Sequence, residues 1–180
     1  TPSFLSVKQL ERLVDGLHRS FGWDNAEEVT FECEPGTLSE PKIAALKRLG
    51  VTRVSLGVEN FDDEILESNG RAHLSNEIFR AGDWIQKAEF PSTNIDLIAG
   101  MVGETTESWE QTVETALRLA PDSLTIYQME LPFNTTISSD LIKKTGQFTD
   151  TVASWATKRR WVDEAFAALE RAGYTIGSAY

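Results

Sequence analysis

The chain has 180 residues, of which 41% are hydrophobic and 25% are charged, a composition typical of a folded globular domain. Its 28 acidic and 17 basic side chains give a net charge of −11, which argues against nucleic acids and anionic membranes as partners, since both need a basic face. Cys33 is the single cysteine, so an internal disulfide is excluded and a reducing, cytoplasmic location is expected. No apolar run approaches the roughly 18 residues of a transmembrane helix.

Helical and extended patterns alternate along the chain. After a capping-box sequence at Ser6, apolar residues recur at helical spacing, and the following run, 29–33, has the pattern of a buried strand. Further strands are predicted over 51–58, 94–98 and 123–129, and further helices over 39–49, 62–68 and 158–172 and from Ser75 and Thr106 onward. Strands that alternate with helices indicate β-α units, a parallel sheet and right-handed crossovers.

The polar segment 134–154 interrupts this alternation, and we expect a loop or insertion there. The chain then divides into the repeating β-α part (1–133), the insertion (134–154), and a last helix with the start of a further strand (155–180). Because the chain has no initiator methionine and ends in a strand-like run, we expect it to be a piece of a longer protein.

Two parallel architectures fit this order, a doubly wound open sheet and a (β/α) barrel. Each predicted strand has one apolar face and one face of small or polar residues, whereas a fully buried parallel strand is normally apolar on both. The polar faces carry Thr30 and Glu32 on the first strand, Arg53, Ser55, Gly57 and Glu59 on the second, and Asn94 and Asp96 on the third. Polar inner faces predict an α/β fold with a partial (β/α) barrel that holds a ligand at the C-terminal strand ends.

Three carboxylates, Glu32, Glu59 and Asp96, fall at or near the C-terminal ends of successive predicted strands. One such charge is usually solvated, but three in register predict a shared cleft, to which the following loop adds Arg71. Carboxylates accept from hydroxyl and ammonium groups, and the guanidinium fork fits a carboxylate, so an amino acid joined to a ribose would suit this set. A divalent metal with oxygen ligands is the rival interpretation, which alternation leaves open.

Two other reactive side chains have ordinary explanations. His73, in the same loop as Arg71, could be a ligand or a base, but a lone loop histidine is more often a simple polar contact. Cys33 lies on the apolar side of its strand, which predicts a buried side chain rather than a nucleophile. The chain contains no phosphate-binding, dinucleotide-binding or serine-hydrolase glycine motif.

Five short blocks form a more specific pattern. They are TPS at 1–3, ECEPGTL at 32–38, SLGVENF at 55–61, NGRAH at 69–73 and NIDLIAG at 94–100. Their order and spacing resemble the radical S-adenosylmethionine (SAM) proteins of the oxygen-independent coproporphyrinogen III oxidase (HemN-like) family, from Thr1 to about Pro132. The family fold is a partial (β/α) barrel, which agrees with the strand alternation.

The resemblance implies that SAM lies across the strand ends. The implied contacts are Thr1, Glu32, Glu59, Arg71 and Asp96, with Arg71 as the partner of the SAM carboxylate. Glu59 stands where the family usually has glutamine, and Met101-Val102 stands where it usually has Leu-Pro. The added charge of Glu59 would strengthen an ammonium contact or raise the pKa of a neighbouring carboxyl.

The resemblance also implies a [4Fe–4S] cluster held by three cysteines in a C-x3-C-x2-C motif. These would lie upstream of Thr1, and Cys33 cannot replace them, so the chain alone is expected to be inactive. The implied chemistry is reductive cleavage of SAM to a 5′-deoxyadenosyl radical that abstracts hydrogen from a porphyrinogen propionate chain. Flavodoxin or ferredoxin would supply the electron.

Four functions stay open from the sequence. The first is a radical oxidoreductase of porphyrin biosynthesis, and the second is a haem chaperone, since some family members resemble the oxidase yet bind haem. The third is a HemN-like radical methyltransferase or cyclopropanase. The fourth is a barrel that binds Mg²⁺ or Mn²⁺ through Glu32, Glu59 and Asp96, without any iron–sulfur centre.

Overall fold

The computed structural model describes residues 2–22, 25–130 and 152–177, which form one parallel sheet and its covering helices. The strands are β1 (Thr30–Cys33), β2 (Arg53–Glu59), β3 (Ser92–Ala99) and β4 (Ser123–Gln128). The helices are α1 (Val7–Ser20), α2 (Glu40–Arg48), α3 (Asp63–Ser68), α4 (Ser75–Ala88), α5 (Thr106–Leu119) and α6 (Trp155–Arg171). Short 3₁₀ helices lie at Pro2–Phe4 and Pro35–Thr37.

The four strands pair in their chain order, β1-β2-β3-β4, and every pair is parallel. At least one helix lies between each strand and the next along the chain. A doubly wound sheet reverses its strand order at a switch point, and these strands show no such reversal. The predicted parallel α/β sheet is therefore confirmed, and its order is that of the partial barrel.

Capping side chains set where the helices begin. The capping box predicted at Ser6 is present: the Ser6 N–H donates to Gln9 Oε1 over 2.9 Å, and Ser6 Oγ accepts from the Gln9 N–H. Helix α5 begins at Thr106, as predicted, and Thr105 caps it, because the hydroxyl of Thr105 accepts from the Ser108 N–H. Helix α6 begins before the predicted residue 158, because Ser154 caps it.

The core lies between the apolar strand faces and the helices. It includes Val54, Leu56, Val58 and Leu97 from the sheet and Leu46, Ile78, Trp109 and Trp161 from the helices. The buried indole N–H of Trp109 donates to the Trp161 carbonyl, and the indole of Trp161 donates to Thr106, each over 3.0 Å, which joins α5 to α6. Cys33 belongs to this core, and burial raises the pKa of its thiol to about 12, as expected for a packing side chain.

Two sequence predictions fall on residues outside the described part of the chain. Thr1 lies there, as does most of the expected insertion, since 131–151 are not described. The predicted further strand has no strand geometry over 174–177, and 178–180 lie outside the described residues, so the proposed domain division stays a prediction. Among the described residues, no helix is long and apolar enough to cross a membrane.

Gly100, directly after β3, has a backbone that an L side chain would not tolerate. Its φ is +86°, and a Cβ there would lie 2.5–2.7 Å from the aliphatic carbons of Lys158. That stem cannot move aside freely, because Lys158 is buried and its Nζ donates to the Met129 carbonyl over 2.6 Å.

We expect Gly100→Ala to lower the free energy of unfolding of the full-length protein by about 3 kcal/mol, from positive φ and overpacking together. Gly50→Ala is the matched control, because Gly50 has the same φ of +86° with no heavy atom within 4 Å of the added Cβ. It should cost only about 1 kcal/mol. Urea denaturation checks both values, and equal losses would show that Lys158 yields to the new methyl group.

Candidate functional site

Hydrogen bonds between polar side chains cross the inner face of the sheet. Ser55 Oγ donates to Asp96 Oδ2 over 2.8 Å, and Asn94 Nδ2 donates to Asp96 Oδ1 over 3.0 Å. Asn94 Oδ1 in turn accepts from Ser123 Oγ on β4 over 2.8 Å. Ser55 and Asn94 therefore hold the Asp96 carboxylate in one orientation. Asp96 lies in the middle of β3 rather than at its end.

Glu32 lies beside this network, one residue before the end of β1. It pairs in register with Ser55, the residue whose hydroxyl donates to Asp96. Partial burial, followed by the charge of Asp96, raises the pKa of Glu32 above its ordinary value. Two of the predicted carboxylates, Glu32 and Asp96, thus lie on the strands on either side of Ser55 and interact through their charges, on the face that the strand alternation assigns to them.

Glu59 ends β2 in an unusual conformation. A β-bulge shifts the pairing with β3 between Gly57 and Glu59, and the φ of Glu59 is +68°, in the left-handed region. Its carboxylate folds back over the strand, because Oε1 lies 3.3 Å from the position that a Cβ on Gly57 would occupy. The bulge and the left-handed turn therefore direct the Glu59 carboxylate back over the end of the sheet.

Arg71 lies close to that carboxylate, with its Nη2 3.6 Å from Glu59 Oε2. Burial raises the pKa of Glu59, Arg71 opposes this rise, and the charge of Asp96 adds to it. The structure therefore brings together Glu32, Glu59, Arg71 and Asp96, the four predicted site residues that it describes. The fifth, Thr1, lies outside the described residues.

The start of the described chain packs at the same end of the sheet. Ser3 is fully buried, and its hydroxyl accepts from the Glu34 N–H over 2.9 Å and from Thr37 Oγ1 over 2.7 Å. The buried ammonium of Lys42 donates to the carbonyls of Ser3 and Thr37. These bonds anchor the residues that follow Thr1 beside the C-terminal end of β1.

His73 and Glu34 form a contact that sequence reasoning missed. The His73 side chain is fully buried, with Nδ1 against Glu34 Oε1 and Nε2 3.1 Å from the Val58 carbonyl oxygen. The sequence predicts an ordinary polar contact for His73 and indicates no role for Glu34. The repeated glutamate in E-C-E was the only available signal, since the two partners lie 39 residues apart.

Glu104 and Lys158 are two further buried charged residues that the sequence did not indicate. Glu104 accepts from Asn60 Nδ2 over 2.6 Å and from the backbone N–H groups of Gly100 and Met101. These three donors and the nearby charge of Lys158 favour the ionised form, yet burial outweighs them and raises the pKa of Glu104 to about 7. Glu104 thereby ties the turn after β3 to Asn60 after β2.

The raised pKa of Glu104 predicts a pH-dependent stability. Folding raises this pKa from its ordinary value of 4.5 to about 7, so between these pH values the folded state holds a proton that the unfolded chain releases. The contribution of Glu104 to the free energy of unfolding therefore falls as pH rises from 4.5 to 7, by about 3 kcal/mol in all.

We expect Glu104→Gln to remove this slope, which urea denaturation at pH 4.5, 5.5 and 7 would measure as a pH-dependent difference from wild type. Glu107→Gln, on the exposed first turn of α5, is the control. The pKa of Glu107 is lowered, so Glu107→Gln can only change the dependence of stability on pH in the direction opposite to that of Glu104→Gln. Parallel curves for wild type and Glu104→Gln would contradict the prediction.

The assembled site is rich in hydrogen-bond acceptors and has one guanidinium at its rim. It suits a ligand that carries an ammonium group, hydroxyl groups and a carboxylate. In the described part of the chain, no three His, Cys, Asp or Glu side chains are grouped so that they could hold a metal ion. The magnesium or manganese alternative therefore has no ligand set among those residues.

Known proteins give these residues a family context. The model of the Radical SAM superfamily matches residues 5–116. Heme chaperone HemW of Lactococcus lactis is 36% identical over 135 residues, which cover 75% of this chain and 36% of that protein. Oxygen-independent coproporphyrinogen III oxidase of Synechocystis is 28% identical over 127 residues, 71% of this chain and 27% of that protein. The chain spans about a third of the length of these curated relatives.

Solved structures show the same likeness in three dimensions. Coproporphyrinogen III oxidase (HemN) from Escherichia coli matches with a TM-score of 0.84 at 28% identity, covering 97% of this chain and 39% of that chain. Elp3 of Methanocaldococcus infernus matches with a TM-score of 0.66 at 23% identity, covering 77% of this chain and 32% of that chain, and shares the fold. These matches confirm the predicted partial (β/α) barrel and the family resemblance. Since the superfamily model covers more than half of its residues, the chain belongs to the radical SAM superfamily, with HemN and HemW among its relatives.

Proposed function

We propose that this chain is the SAM-binding part of a radical SAM oxidoreductase that resembles oxygen-independent coproporphyrinogen III oxidase. The observation that supports this most directly is the Glu59–Arg71 ion pair, which lies beside Asp96 and Glu32 at the C-terminal side of the sheet. Membership of the superfamily implies SAM and a [4Fe–4S] cluster as cofactors.

The ion pair fits the amino acid end of SAM. The ammonium group of SAM would lie against Glu59, and its carboxylate would lie against Arg71. Glu59 would then exchange one cationic partner for another, and Arg71 would exchange one anionic partner for another. The Arg71 side chain is 31% exposed and that of Glu59 14% exposed, so the guanidinium is the more accessible of the two. Glutamate in place of the usual glutamine gives the ammonium group a charged acceptor.

The inner-face carboxylates fit the ribose. An ionised carboxylate has about four acceptor positions, and Asp96 uses two of them for Ser55 and Asn94. Its remaining positions, together with Glu32, would accept from the two ribose hydroxyls. In this arrangement Ser55 and Asn94 hold Asp96 in place before the ligand arrives, so little ordering is needed on binding.

The cluster would depend on cysteines beyond these 180 residues. Cys33 is buried and, with a pKa near 12, stays a thiol at neutral pH, whereas iron is bound by thiolates. Such a cluster, bound together with SAM, would supply radical chemistry, the abstraction of a hydrogen atom from the substrate. The residues of this chain would orient SAM and exclude water from it.

The substrate and partners of the whole protein are part of the proposal. We propose a porphyrinogen propionate as substrate and a flavodoxin or ferredoxin as electron donor. The second candidate function is a haem chaperone, because relatives that are 36% and 33% identical carry the name HemW. The methyltransferase alternative has support from the fold alone, since the matching methyltransferase TsrM is 18% identical with a TM-score of 0.61.

Anaerobic reconstitution of the full-length protein with iron and sulfide tests the proposal. With reductant and SAM added, 5′-deoxyadenosine should form, and coproporphyrinogen III should raise its yield and lose carboxyl groups as CO₂. Stoichiometric haem binding without decarboxylation would favour the chaperone. Failure to assemble a cluster or to bind SAM would refute the radical SAM function for this protein.

A further inference from the structure

The buried side chain of His73 lies behind the proposed SAM site. It belongs to the loop between α3 and α4, two residues after Arg71. Its Nε2 faces the Val58 carbonyl oxygen over 3.1 Å, and its Nδ1 faces Glu34 Oε1. A carbonyl oxygen only accepts hydrogen bonds, so Nε2 must carry the proton of that bond, and the orientation of the ring is fixed.

The acceptor of that bond belongs to a strained turn. The Asn60 N–H also donates to the Val58 carbonyl, over 2.8 Å, which closes a three-residue turn around Glu59. With a φ of +68° at its centre, this γ-turn has a conformation that a side-chain-bearing residue adopts only when neighbouring contacts enforce it. The Val58 carbonyl shares a peptide plane with the Glu59 N–H, so a bond that fixes the carbonyl also fixes the backbone of Glu59.

Other contacts hold the same turn from the far side. The side chain of Asn60 is fully buried and bonds to Glu104 and Thr112. The His73 contact differs from the Asn60 contacts, because the loop that contains His73 also contains Arg71, the partner of Glu59. The single imidazole therefore links the strand end that presents the carboxylate to the loop that presents the guanidinium.

We propose that His73 is a positioning residue of the SAM site, whose donor bond to the Val58 carbonyl holds the turn that points Glu59 at Arg71. This inference rests on the proposed function, since it concerns how the same site is organised. His73 does not contact SAM in this proposal and acts only through Glu59.

Two amide substitutions separate the two bonds of the ring. His73→Gln places an N–H at the position of Nε2 and keeps the donor to Val58, whereas His73→Asn places it at the position of Nδ1 and loses that donor. We expect His73→Asn to raise the Kd for SAM of the reconstituted full-length protein about tenfold, and His73→Gln to stay within about threefold of wild type. Equal losses in the two variants would overturn the proposal.

A double-mutant cycle distinguishes positioning from general destabilisation. Combined with Glu59→Ala, His73→Asn should change the Kd for SAM by less than about twofold, because the side chain that it positions is gone. A tenfold effect that persists in that background would refute the proposal. If His73→Asn does not fold, His73→Gln and Glu34→Gln decide, since both keep the Val58 bond and a tenfold loss in either would contradict the inference.

A ligand-free readout separates this inference from the proposed function. In a crystal structure of His73→Asn, Glu59 should leave the left-handed region, and in His73→Gln it should remain there. Wild-type protein that binds no SAM would refute the proposed function. The backbone of Glu59 would still report on His73, and an unchanged φ in His73→Asn would overturn the positioning role by itself.

Discussion

Replacement of Arg71 by alanine should weaken SAM binding by the full-length protein roughly 10- to 100-fold. A charge-assisted bond to a carboxylate contributes about 1.5–3 kcal/mol, and Arg71 is the cation within 4 Å of Glu59 in the described site. Its loss also removes the charge that lowers the pKa of Glu59, so this carboxylate becomes a poorer partner for an ammonium group. Equilibrium dialysis with labelled SAM measures the effect.

Two further arginine variants sharpen this test. Arg71→Lys keeps the charge but not the planar fork, so its Kd should lie between those of wild type and Arg71→Ala. Arg80→Ala is the control, because Arg80 lies on α4, 3.6 Å from Glu77 and over the ring of Trp84. It should leave SAM affinity unchanged. An Arg71→Ala variant that binds SAM like wild type would remove Arg71 from the site.

Asp96→Asn should lower SAM affinity by about tenfold or more while the fold stays intact. The asparagine can keep its neighbours, with its oxygen accepting from Asn94 and its amide donating to Ser55 Oγ, so the loss in stability should stay near 1 kcal/mol. What disappears is the charged acceptor that we propose for the ribose hydroxyls. Removal of this charge should also lower the pKa of Glu32, which Asp96 raises.

Asp122→Asn is the matched control for Asp96→Asn. Asp122 immediately precedes β4, at the opposite end of the sheet, and its carboxylate accepts from the N–H and hydroxyl of Thr93. Asp122→Asn makes the same chemical change at a distance from the proposed site, so we expect it to lower stability and to leave SAM affinity unchanged. Similar SAM affinities for the Asp96→Asn and Asp122→Asn variants would contradict the role given to Asp96.

The sequence predicted which polar side chains meet in those places where strand geometry alone decides it. Glu32 and Asp96 come together because parallel strands in register place their polar faces on one side, a consequence of the two-residue repeat. Alternation also placed Glu59 on this side. It could not predict the bulge and left-handed turn, because the residues on either side of Glu59 bond to partners distant in sequence: Val58 to His73, and Asn60 to Glu104.

Buried ionic groups were the other features that the sequence concealed. Lysine and glutamate are usually solvated, so nothing in the local pattern marked Lys158 or Glu104 as interior. Their burial depends on how α6 and the turn after β3 pack together, which is a property of the assembled fold. The same holds for His73 and Glu34, whose contact requires the loop after α3 to return to the end of β1.

The contact of Lys158 with Gly100 and Met129 also concerns how the protein can change over time. It fixes the beginning of α6 against the ends of β3 and β4 by a bond that does not depend on the residues joining them. When a helix is held in place by one of its own side chains, its position depends little on the length or composition of the connection that precedes it. We therefore expect α6 to keep its place against β3 and β4 in relatives whose connection differs in length.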